Sequence, residues 1–280
     1  MTVLALPRWN LSIGSGKPLM VIAGLNVLED DDLALATARH LKAVTAELGL
    51  PFVFKASFDK ANRSSIKSYR GPGLKKGLAM LERVKSEVDV PICTDLHEID
   101  QADPVAAIAD LVQIPAFLCR QTDLVVATAR ATDQAGGLLH VKKAQFMSPR
   151  QSQNIISKVG EVVDRPIVIL CERGSSFGYD QLVVDMTGIA KMKAFAAPVT
   201  IDATHAVQQQ GGNAGGASTG GDRDSVSIIA KAAVAAGADG VFLEFHPDPD
   251  KALCDPLSCL RLDGAKELLA TLKAVHAAVN

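Results

Sequence analysis

Residues 51–73 read PFVFKASFDKANRSSIKSYRGPG, an apolar run that leads into a loop crowded with cations and hydroxyl groups. The continuous apolar pattern of 51–54 is typical of a strand buried on both faces in a parallel sheet. Five cations follow between Lys55 and Arg70. Cations packed so densely repel one another and are costly to bury without an anionic partner. The stretch therefore predicts a buried strand that ends in a site for an anion, most simply a phosphorylated or carboxylated metabolite; a solvated basic loop is the alternative.

The same unit recurs along the chain. Short apolar runs alternate with amphipathic segments from residue 19 onward, and glycine or proline recurs where a helix stops and a strand begins. Eight strand–helix units with right-handed crossovers predict an α/β fold, a single (β/α)8 TIM barrel. A doubly wound sheet is less favoured because no G-x-G-x-x-G turn follows the first strand. The strand candidates are 19–24, 52–55, 90–95, 111–114, 138–142, 167–171, 199–202 and 240–244, and the helical segments include 30–48, 74–87, 123–135, 150–163 and 225–236.

Composition restricts the class of protein. The chain has 280 residues, 48% of them hydrophobic, so a single domain over 1–280 can bury a large core. A formal net charge of −2 gives the protein as a whole no attraction to nucleic acid or to an anionic membrane. The N-terminus lacks a signal pattern, and no apolar stretch is long enough to span a bilayer. Five scattered cysteines without a C-x-x-C pair favour reduced, buried thiols, and we expect a cytoplasmic protein.

Two segments stand outside the repeating units. Residues 1–16 hold two short apolar runs, 3–6 and 10–13, around Pro7, and we expect a β-hairpin that closes the N-terminal end of the barrel. Residues 211–221 read GGNAGGASTGG, without the Gly-Lys-Ser/Thr ending of a P-loop. We expect 206–222 to form a mobile lid over the barrel mouth, with a passive flexible loop as the alternative.

Every predicted strand ends in polar residues. In this fold the active site forms at the C-terminal ends of the strands, and polar groups that converge there cost desolvation free energy. Side chains alternate along a strand, so Lys143 should point away if Lys142 points inward. Taken singly, Asp95 and Asp202 also fit buried partners of neighbouring lysines, and His97 fits a structural histidine. The strand-end residues are Asn26, Lys55, Ser57, Asp95, His97, Gln113, Lys142, Lys143, Glu172, Arg173, Asp202, His205, Glu244 and His246.

Seven motifs resemble the 3-deoxy-D-manno-octulosonate-8-phosphate synthase family over nearly the whole chain. The resemblance implies a homotetrameric barrel enzyme that joins phosphoenolpyruvate to D-arabinose 5-phosphate and releases inorganic phosphate, in the biosynthesis of the octulosonate sugar of lipopolysaccharide. It implies no organic cofactor. The motifs are GLNVLE at 24–29, KASFDKANRSSIKSYR at 55–70, TDLHE at 94–98, QIPAFLCRQTDL at 113–124, CERGSSFGYD at 171–180, DATH at 202–205 and HPDP at 246–249.

The resemblance also implies roles for individual residues. Lys142 is hypothesised to protonate the alkoxide that develops on the sugar. Arg120 matches a residue that reaches into a neighbouring subunit's site, with Phe117 close to that interface, and His97 matches a group near the reaction centre. The implied catalytic residues are Lys142, Asn26, His205, Asp95 and Asp255; those for phosphoenolpyruvate are Lys55, Ser57, Lys60, Gln113, Lys142 and Arg173; those for arabinose 5-phosphate are Asn62, Arg63, Ser64, Arg120, His205 and Glu244.

The family divides into metal-dependent and metal-independent members. The metal site uses a cysteine together with residues that match His205, Glu244 and Asp255, and the cysteine position is Asn26 here. A neutral amide is a poorer ligand for a transition metal than a thiolate. The resemblance therefore implies the metal-independent type. The chain departs from the usual Cys-Asp-Gly of that type with Cys254-Asp255-Pro256.

Three rivals differ in chemistry. The sister enzyme that makes 3-deoxy-D-arabino-heptulosonate 7-phosphate from erythrose 4-phosphate carries Lys-Pro-Arg-Thr-Ser where this chain has KANRSS at 60–65. A Schiff-base aldolase would use Lys142 as nucleophile. A non-catalytic phosphosugar-binding barrel would not need polar groups at every strand end.

Overall fold

The computed structural model describes residues 2–177, 180–209 and 220–280. The central part of the expected lid, 210–219, lies outside these residues. Its described flanks pair with each other, Gln208 with Gly221 and Gln209 with Gly220. Among the described residues, no helix combines the length and the apolar character needed to cross a membrane.

Eight parallel strands close into a barrel, which confirms the predicted α/β barrel. The closing contact pairs β11 with β14, after β3 to β8 have followed one another in chain order and β14 has paired with β3. The strands are β1 (Val3–Leu6), β2 (Leu11–Gly14), β3 (Met20–Val27), β4 (Phe52–Ser57), β5 (Ile92–Asp95), β6 (Leu111–Ile114), β7 (Leu138–Lys142), β8 (Val168–Glu172), β9 (Ser175–Ser176), β10 (Leu182–Val183), β11 (Val199–Asp202), β12 (Gln208–Gln209), β13 (Gly220–Gly221), β14 (Gly240–His246) and β15 (Leu260–Arg261).

Helices alternate with the barrel strands and cover their outer faces. The longest, over 31–48, begins where the Asp30 side chain accepts a hydrogen bond from the Leu33 N–H and ends at Gly49, whose φ of 64° is the left-handed conformation that glycine adopts at low cost. The helices are α1 (Asp31–Leu48), α2 (Leu74–Val84), α3 (Ala102–Ile108), α4 (Thr122–Gln134), α5 (Gln153–Gly160), α6 (Met186–Lys193), α7 (Ala203–Ala206), α8 (Arg223–Ala235) and α9 (Ala265–Val279).

The structure adds detail that the apolar pattern did not contain. Strand β3 continues to Val27 through a register shift after Gly24, so Asn26 lies within the strand. Helices α3, α6 and α9 are additional to the helical segments named from the sequence. Helix α3 is short and holds Pro104 in its first turn, where proline removes no intrahelical hydrogen bond. All five cysteines are buried, as expected.

The N-terminal segment forms an antiparallel pair of strands. Strand β1 pairs with β2, and Leu4, Leu6 and Ile13 are buried. Strand β2 begins one residue later than predicted because Asn10 adopts a left-handed φ of 52° at the end of the intervening turn. The Trp9 indole N–H donates to Asp110 at 2.8 Å, which ties the turn to the start of β6.

Candidate active site

A cavity of about 410 Å³ lies at the C-terminal ends of the barrel strands. Its position is the one expected for this fold, because side chains from successive strand ends and the loops after them converge there. The loop after β6 supplies an apolar wall. The residues lining the cavity are Lys55, Lys60, Ala61, Asn62, Arg63, Ser64, Asp95, His97, Gln113, Pro115, Ala116, Phe117, Leu118, Lys142, Gln145, Arg173, His205, Gln208, Cys254 and Asp255.

The loop after β4 is closed at its base and presents its first half to the cavity. The Lys60 N–H donates to the Arg70 carbonyl at 2.7 Å, and the Arg70 guanidinium pairs with Asp59. Gly71 allows this closure, since its φ is 117° and a Cβ there would lie 2.4 Å from the Phe58 carbonyl oxygen. The tight base directs 60–64 inward while Lys67 remains exposed to solvent.

Lys55 lies at the bottom of the cavity in a buried polar network. Its Nζ donates to the Ser57 hydroxyl at 2.9 Å and to Glu244 Oε1 at 3.1 Å. The Ser57 hydroxyl donates in turn to Asp95, whose other oxygen lies 3.2 Å from His97 Nε2. Burial and the nearby Lys60 lower the pKa of Lys55, against the opposing effect of Glu244. Glu244 and Asp95 therefore favour the charged form of Lys55, against burial and its cationic neighbours.

Lys142, at the end of β7, lines the cavity and pairs with Asp202. The Nζ–Oδ2 distance is 2.6 Å, and the same ammonium lies 3.8 Å from the centre of the Phe242 ring. Asp202 also contacts His205 Nδ1 at 2.8 Å. Lys143 points away, as predicted, and its buried Nζ contacts Glu172 at 3.3 Å. One lysine of the pair therefore lines the cavity and the other holds the loops behind it.

The far rim of the cavity is built from Arg173, Gln208 and Asp255. Arg173 Nη2 donates to Gln208 Oε1 at 2.8 Å, and the Gln208 amide donates to Asp255 at 2.9 Å. Asp255 also lies 3.6 Å from Arg63 Nη1. Arg173 Nη1 is buried and has no hydrogen-bond partner among the described residues. A second donor of the same guanidinium thus remains available to a ligand.

The Asn26 amide lies between two carboxylates. Its NH₂ group donates to Glu244 Oε2 at 2.5 Å and to Asp255 Oδ2 at 3.3 Å. His205 Nε2 lies 3.7 Å from the same Glu244 oxygen. Asp255 has a φ of 46° although it is not glycine and precedes Pro256, so its backbone is strained. Within the described part of the chain, no three His, Cys, Asp or Glu side chains group as a metal site.

Opposite charges control the ionisation of these buried groups. Burial alone would raise the pKa of Glu244, but His205, Lys55 and other cations lower it to about 2. Burial likewise opposes the ionisation of Asp95 and Asp202. His97 and the nearby lysines nevertheless lower the pKa of Asp95. His205 and Lys142 lower the pKa of Asp202. Burial would lower the pKa of Lys60, but Glu244 and the other carboxylates raise it. The surrounding cations therefore stabilise the charged forms of the Asp95, Asp202 and Glu244 carboxylates.

The structure brings most of the predicted site residues together. Asn26, Ser57 and Glu244 do not line the cavity but lie directly beneath it, in contact with residues that do. Arg120 lies outside this chain's cavity; it is exposed, and its carbonyl accepts from Lys158. The residues that line the cavity as predicted are Lys55, Lys60, Asn62, Arg63, Ser64, Asp95, His97, Gln113, Lys142, Arg173, His205 and Asp255.

Sequence reasoning missed three lining residues with polar or thiol side chains, Gln145, Gln208 and Cys254. Gln145 follows Lys142 by three residues in the loop after β7, so its place at a strand end was a usable signal. Cys254 stood out only as the neighbour of Asp255, and it contacts Arg63. Gln208 carried no signal in the sequence, because its position depends on the pairing of β12 with β13. His246, in contrast, contacts Glu29 rather than the cavity.

The chain is similar to characterised families over almost its full length. The profile described as the DAHP synthetase I family matches residues 3–280. A 2-dehydro-3-deoxyphosphooctonate aldolase of Shewanella frigidimarina is 50% identical over 271 residues, which is 97% of this chain and 93% of that protein. A protein of the same name from Pseudomonas putida is 51% identical over 264 residues, 94% of this chain and 92% of that protein. One from Cupriavidus necator is 49% identical over 272 residues, 95% and 92% respectively.

A match of this extent spans every barrel strand and every loop that lines the cavity. The chain therefore belongs to the DAHP synthetase I family and, within it, to the 2-dehydro-3-deoxyphosphooctonate aldolases.

Proposed function

We propose that this chain condenses phosphoenolpyruvate with D-arabinose 5-phosphate and water to give 3-deoxy-D-manno-octulosonate 8-phosphate and inorganic phosphate. One observation carries the proposal: five cations line a single cavity at the barrel mouth. Phosphoenolpyruvate brings roughly three negative charges and the sugar phosphate adds about two. Charge-assisted hydrogen bonds are the strong contacts available for such groups. The five cations are Lys55, Lys60, Arg63, Lys142 and Arg173.

The two substrates occupy different parts of the cavity in this proposal. Phosphoenolpyruvate takes the deep part between the β4 and β7 ends, and the phosphate of the sugar lies against the basic loop. Holding two mutually repelling anions in reacting geometry contributes roughly 7–11 kcal/mol to the lowering of the barrier. The phosphoenolpyruvate residues are Lys55, Lys60, Gln113, Lys142 and Arg173, with Ser57 supporting Lys55 from beneath, and the sugar-phosphate residues are Asn62, Arg63, Ser64, Arg120 and His205, with Glu244 supporting them from beneath.

The reaction proceeds in three steps. The methylene carbon of phosphoenolpyruvate attacks the aldehyde of the open-chain sugar and forms the new carbon–carbon bond. Water adds to the resulting cationic carbon and loses a proton to solvent. The tetrahedral intermediate then breaks its C–O bond to phosphate, which leaves as the ketone forms. Lys142 protonates the alkoxide formed from the aldehyde, directly or through water; it lines the cavity, and its Nζ is held 2.6 Å from Asp202 Oδ2.

Other catalytic residues act around this proton transfer. Asp95, His205 and Asp255 line the cavity and provide acceptors for water and for sugar hydroxyls. Asn26, Ser57 and Glu244 act from beneath, by orienting Lys55 and Asp255. Their burial supports a positioning role over direct contact with substrate.

The enzyme works without a metal ion. The support is the Asn26 amide, which places a hydrogen-bond donor between Glu244 and Asp255, where metal-dependent relatives have a cysteine and a cation. A neutral amide is a poorer ligand for a transition metal than a thiolate, and here its NH₂ group already contacts the two carboxylates that would face a metal. Asn26, His205 and Asp255 then organise water near the reaction centre.

The working form is a homotetramer in which Arg120 and Phe117 lie at a subunit interface. Phe117 is 53% exposed at the rim of the cavity, where a contact with another subunit would bury it, and it is only three residues from the exposed Arg120. A cation at this place would reach the sugar phosphate of a neighbouring subunit.

Three further expectations belong to the same proposal. The hairpin of β1 and β2 closes the N-terminal end of the barrel, which agrees with its buried Leu4 and Ile13 and with the Trp9–Asp110 hydrogen bond. Residues 206–222 act as a mobile lid. The protein is cytoplasmic, where phosphorylated metabolites are available.

The test is a phosphate-release assay with phosphoenolpyruvate and one of three aldoses. We expect release with arabinose 5-phosphate and little release with erythrose 4-phosphate or ribose 5-phosphate. A preference for erythrose 4-phosphate would identify the heptulosonate enzyme instead. Borohydride trapping of a covalent adduct on Lys142 would identify a Schiff-base aldolase, and binding of both compounds without product would leave a non-catalytic barrel.

A further inference from the structure

His140 is a buried imidazole that the proposed mechanism does not use. It lies in the middle of β7, two residues before Lys142, and it is fully shielded from solvent. Residues two apart on a strand face the same side, so His140 lies in the barrel interior one layer below Lys142. Its register partner on β6 is Gln113, whose side chain lines the cavity.

Both ring nitrogens of His140 have a hydrogen-bond partner. Nδ1 lies 3.2 Å from Gln113 Oε1, and Nε2 lies 2.9 Å from the Thr200 hydroxyl on β11. The ring also stacks on Phe242, with 6.1 Å between centroids and 12° between planes. The imidazole is therefore fixed in both position and rotation.

The imidazole is neutral. Burial and the charge of Lys142 lower the pKa of His140 to about 3, against Asp202, which acts in the opposite direction, while Lys55 lowers it further. A neutral imidazole carries one proton, on one nitrogen, and accepts at the other. Gln113 Oε1 accepts only, so with this oxygen 3.2 Å away the proton is on Nδ1. Nε2 then accepts from the Thr200 hydroxyl at 2.9 Å, a shorter contact than the one of 3.4 Å that the same hydroxyl makes as a donor to the Leu170 carbonyl.

This arrangement decides which end of the Gln113 amide meets the ligand. The last torsion of a glutamine side chain has two similar minima that exchange the oxygen and the NH₂ group. An oxygen turned toward the cavity would place its lone pairs against those of the anionic substrate, and the two would repel each other. An NH₂ group turned toward the cavity would donate to it. With Oε1 held by His140, the NH₂ group is the end that faces the cavity.

We propose that His140 is a positioning residue that locks the Gln113 amide with its NH₂ group toward the cavity, as a donor to the anionic end of phosphoenolpyruvate. The identity of that ligand rests on the proposed function, whereas the orientation of the amide rests on the contacts of His140 with Gln113 and Thr200. His140 itself touches no substrate.

Two conservative variants separate this role from a merely structural one. In His140→Asn the amide nitrogen can replace Nδ1, and in His140→Gln it can replace Nε2, so only the first keeps a donor for Gln113. We expect the KM for phosphoenolpyruvate to stay within about threefold in His140→Asn and to rise about tenfold in His140→Gln. The KM for arabinose 5-phosphate should change by less than about twofold in both. Equal losses in the two variants would overturn the proposal.

A double-mutant cycle tests whether the effect passes through Gln113. In the Gln113→Ala background, His140→Gln should change the KM for phosphoenolpyruvate by less than about twofold, since no amide remains to be oriented. The same roughly tenfold loss in both backgrounds would show that His140 acts independently of Gln113. Thermal unfolding of each variant checks that the fold is retained.

The tautomer can be measured without any substrate. Nitrogen-15 NMR of protein labelled at histidine distinguishes a proton on Nδ1 from one on Nε2, and His140→Asn identifies the signal. We expect the Nδ1–H tautomer. The Nε2–H tautomer would overturn the inference whichever substrates are used. The Nδ1–H tautomer in a protein that releases no phosphate would contradict the proposed function but support the orientation of the amide.

Discussion

The two ends of the barrel use ionic groups in opposite ways. At the N-terminal end, Asp110 accepts from Trp9, from Lys85 at 2.9 Å and from the Ile92 N–H. Asp239 likewise accepts from Lys193 at 2.8 Å and from the Val199 N–H. Each carboxylate there has both oxygens occupied by groups of the protein, and each ties a strand start to its neighbours.

At the C-terminal end, the charged groups also pair with one another, as Lys55 does with Glu244 and Lys142 with Asp202, but they surround a cavity and several of them keep unpaired polar atoms. Buried polar atoms of Arg63, His97, Gln145 and Arg173 lack hydrogen-bond partners among the residues that the structure describes. Unsatisfied buried groups cost free energy, and a ligand in the cavity would give these four a hydrogen-bond partner. The difference shows that charge at the bottom supports folding and charge at the mouth supports binding. Changes at the mouth should therefore affect kinetics, and changes at the bottom should affect stability.

The largest effect is expected from Lys142→Met. Loss of the group that protonates the alkoxide should lower kcat by about 10³-fold, within the usual range for general acids, while the far-UV circular dichroism stays unchanged. Steady-state phosphate release measures the loss. Substantial residual turnover would remove Lys142 from the role of proton donor.

The next largest effect is expected from Arg63→Met. Removal of a charge-assisted contact worth about 1.5–3 kcal/mol should raise the KM for arabinose 5-phosphate by roughly 10- to 100-fold. Lys67→Met is the matched control, because Lys67 belongs to the same loop but is exposed and does not line the cavity. Similar KM increases in the two variants would show that the general charge of the loop, and not its inward-facing cation, binds the sugar phosphate.

At the other end of the barrel, Lys85→Met should change stability and not turnover. Asp110 would keep Trp9 and the Ile92 N–H but lose one charged donor, at a cost of about 1–3 kcal/mol. Urea unfolding should show a lower free energy of unfolding, while kcat and both KM values remain within twofold or so of the unsubstituted protein. A selective loss of kcat would contradict the separation of the two ends.

Acid should lower the free energy of unfolding in two pH windows, through His140 and Glu244, which lie beneath the cavity. The pKa of His140 is lowered to about 3 and that of Glu244 to about 2, so both bind protons more weakly in the folded than in the unfolded chain. The unfolded state then takes up more protons as pH falls, and stability decreases on acidification, by up to about 1.4 kcal/mol per pH unit for one group. His140 contributes to this loss of stability between about pH 6.5 and 3, and Glu244 contributes only below about pH 4.5.

Comparison of variants isolates the first window. His140→Asn should weaken the dependence of the free energy of unfolding on pH between neutral pH and about pH 4.5. His40→Asn, at an exposed position of α1, should leave that dependence unchanged. Urea unfolding at several pH values provides the measurement. An unchanged slope in His140→Asn would mean that the imidazole is not held neutral.

The smallest effect is expected from chelation. Exhaustive treatment with EDTA should leave phosphate release unchanged, because the Asn26 amide already satisfies Glu244 and Asp255. Strong inhibition that Mn²⁺ or Zn²⁺ reverses would show that this polar cluster binds a metal after all.

The sequence alone determined the barrel and the residue types at its mouth. Continuous apolar runs between amphipathic segments leave few alternatives to a parallel sheet covered by helices, and a polar residue at each strand end marks the mouth. The KANRSS motif at 60–65 identified the basic loop, and the alternation of side chains placed Lys142 and Lys143 correctly.

Tertiary structure decided which of these residues face the cavity and which support it. Glu244 and Ser57 lie beneath the cavity because strands β14, β3 and β4 bring them against Lys55, a contact between residues 189 apart in the case of Glu244. His140 gave no signal, since a histidine inside an apolar run looks the same whether it is inert or oriented by Gln113 and Thr200. Local pattern encodes burial and direction along one strand, whereas hydrogen-bond partners depend on distances between strands that only the closed barrel sets.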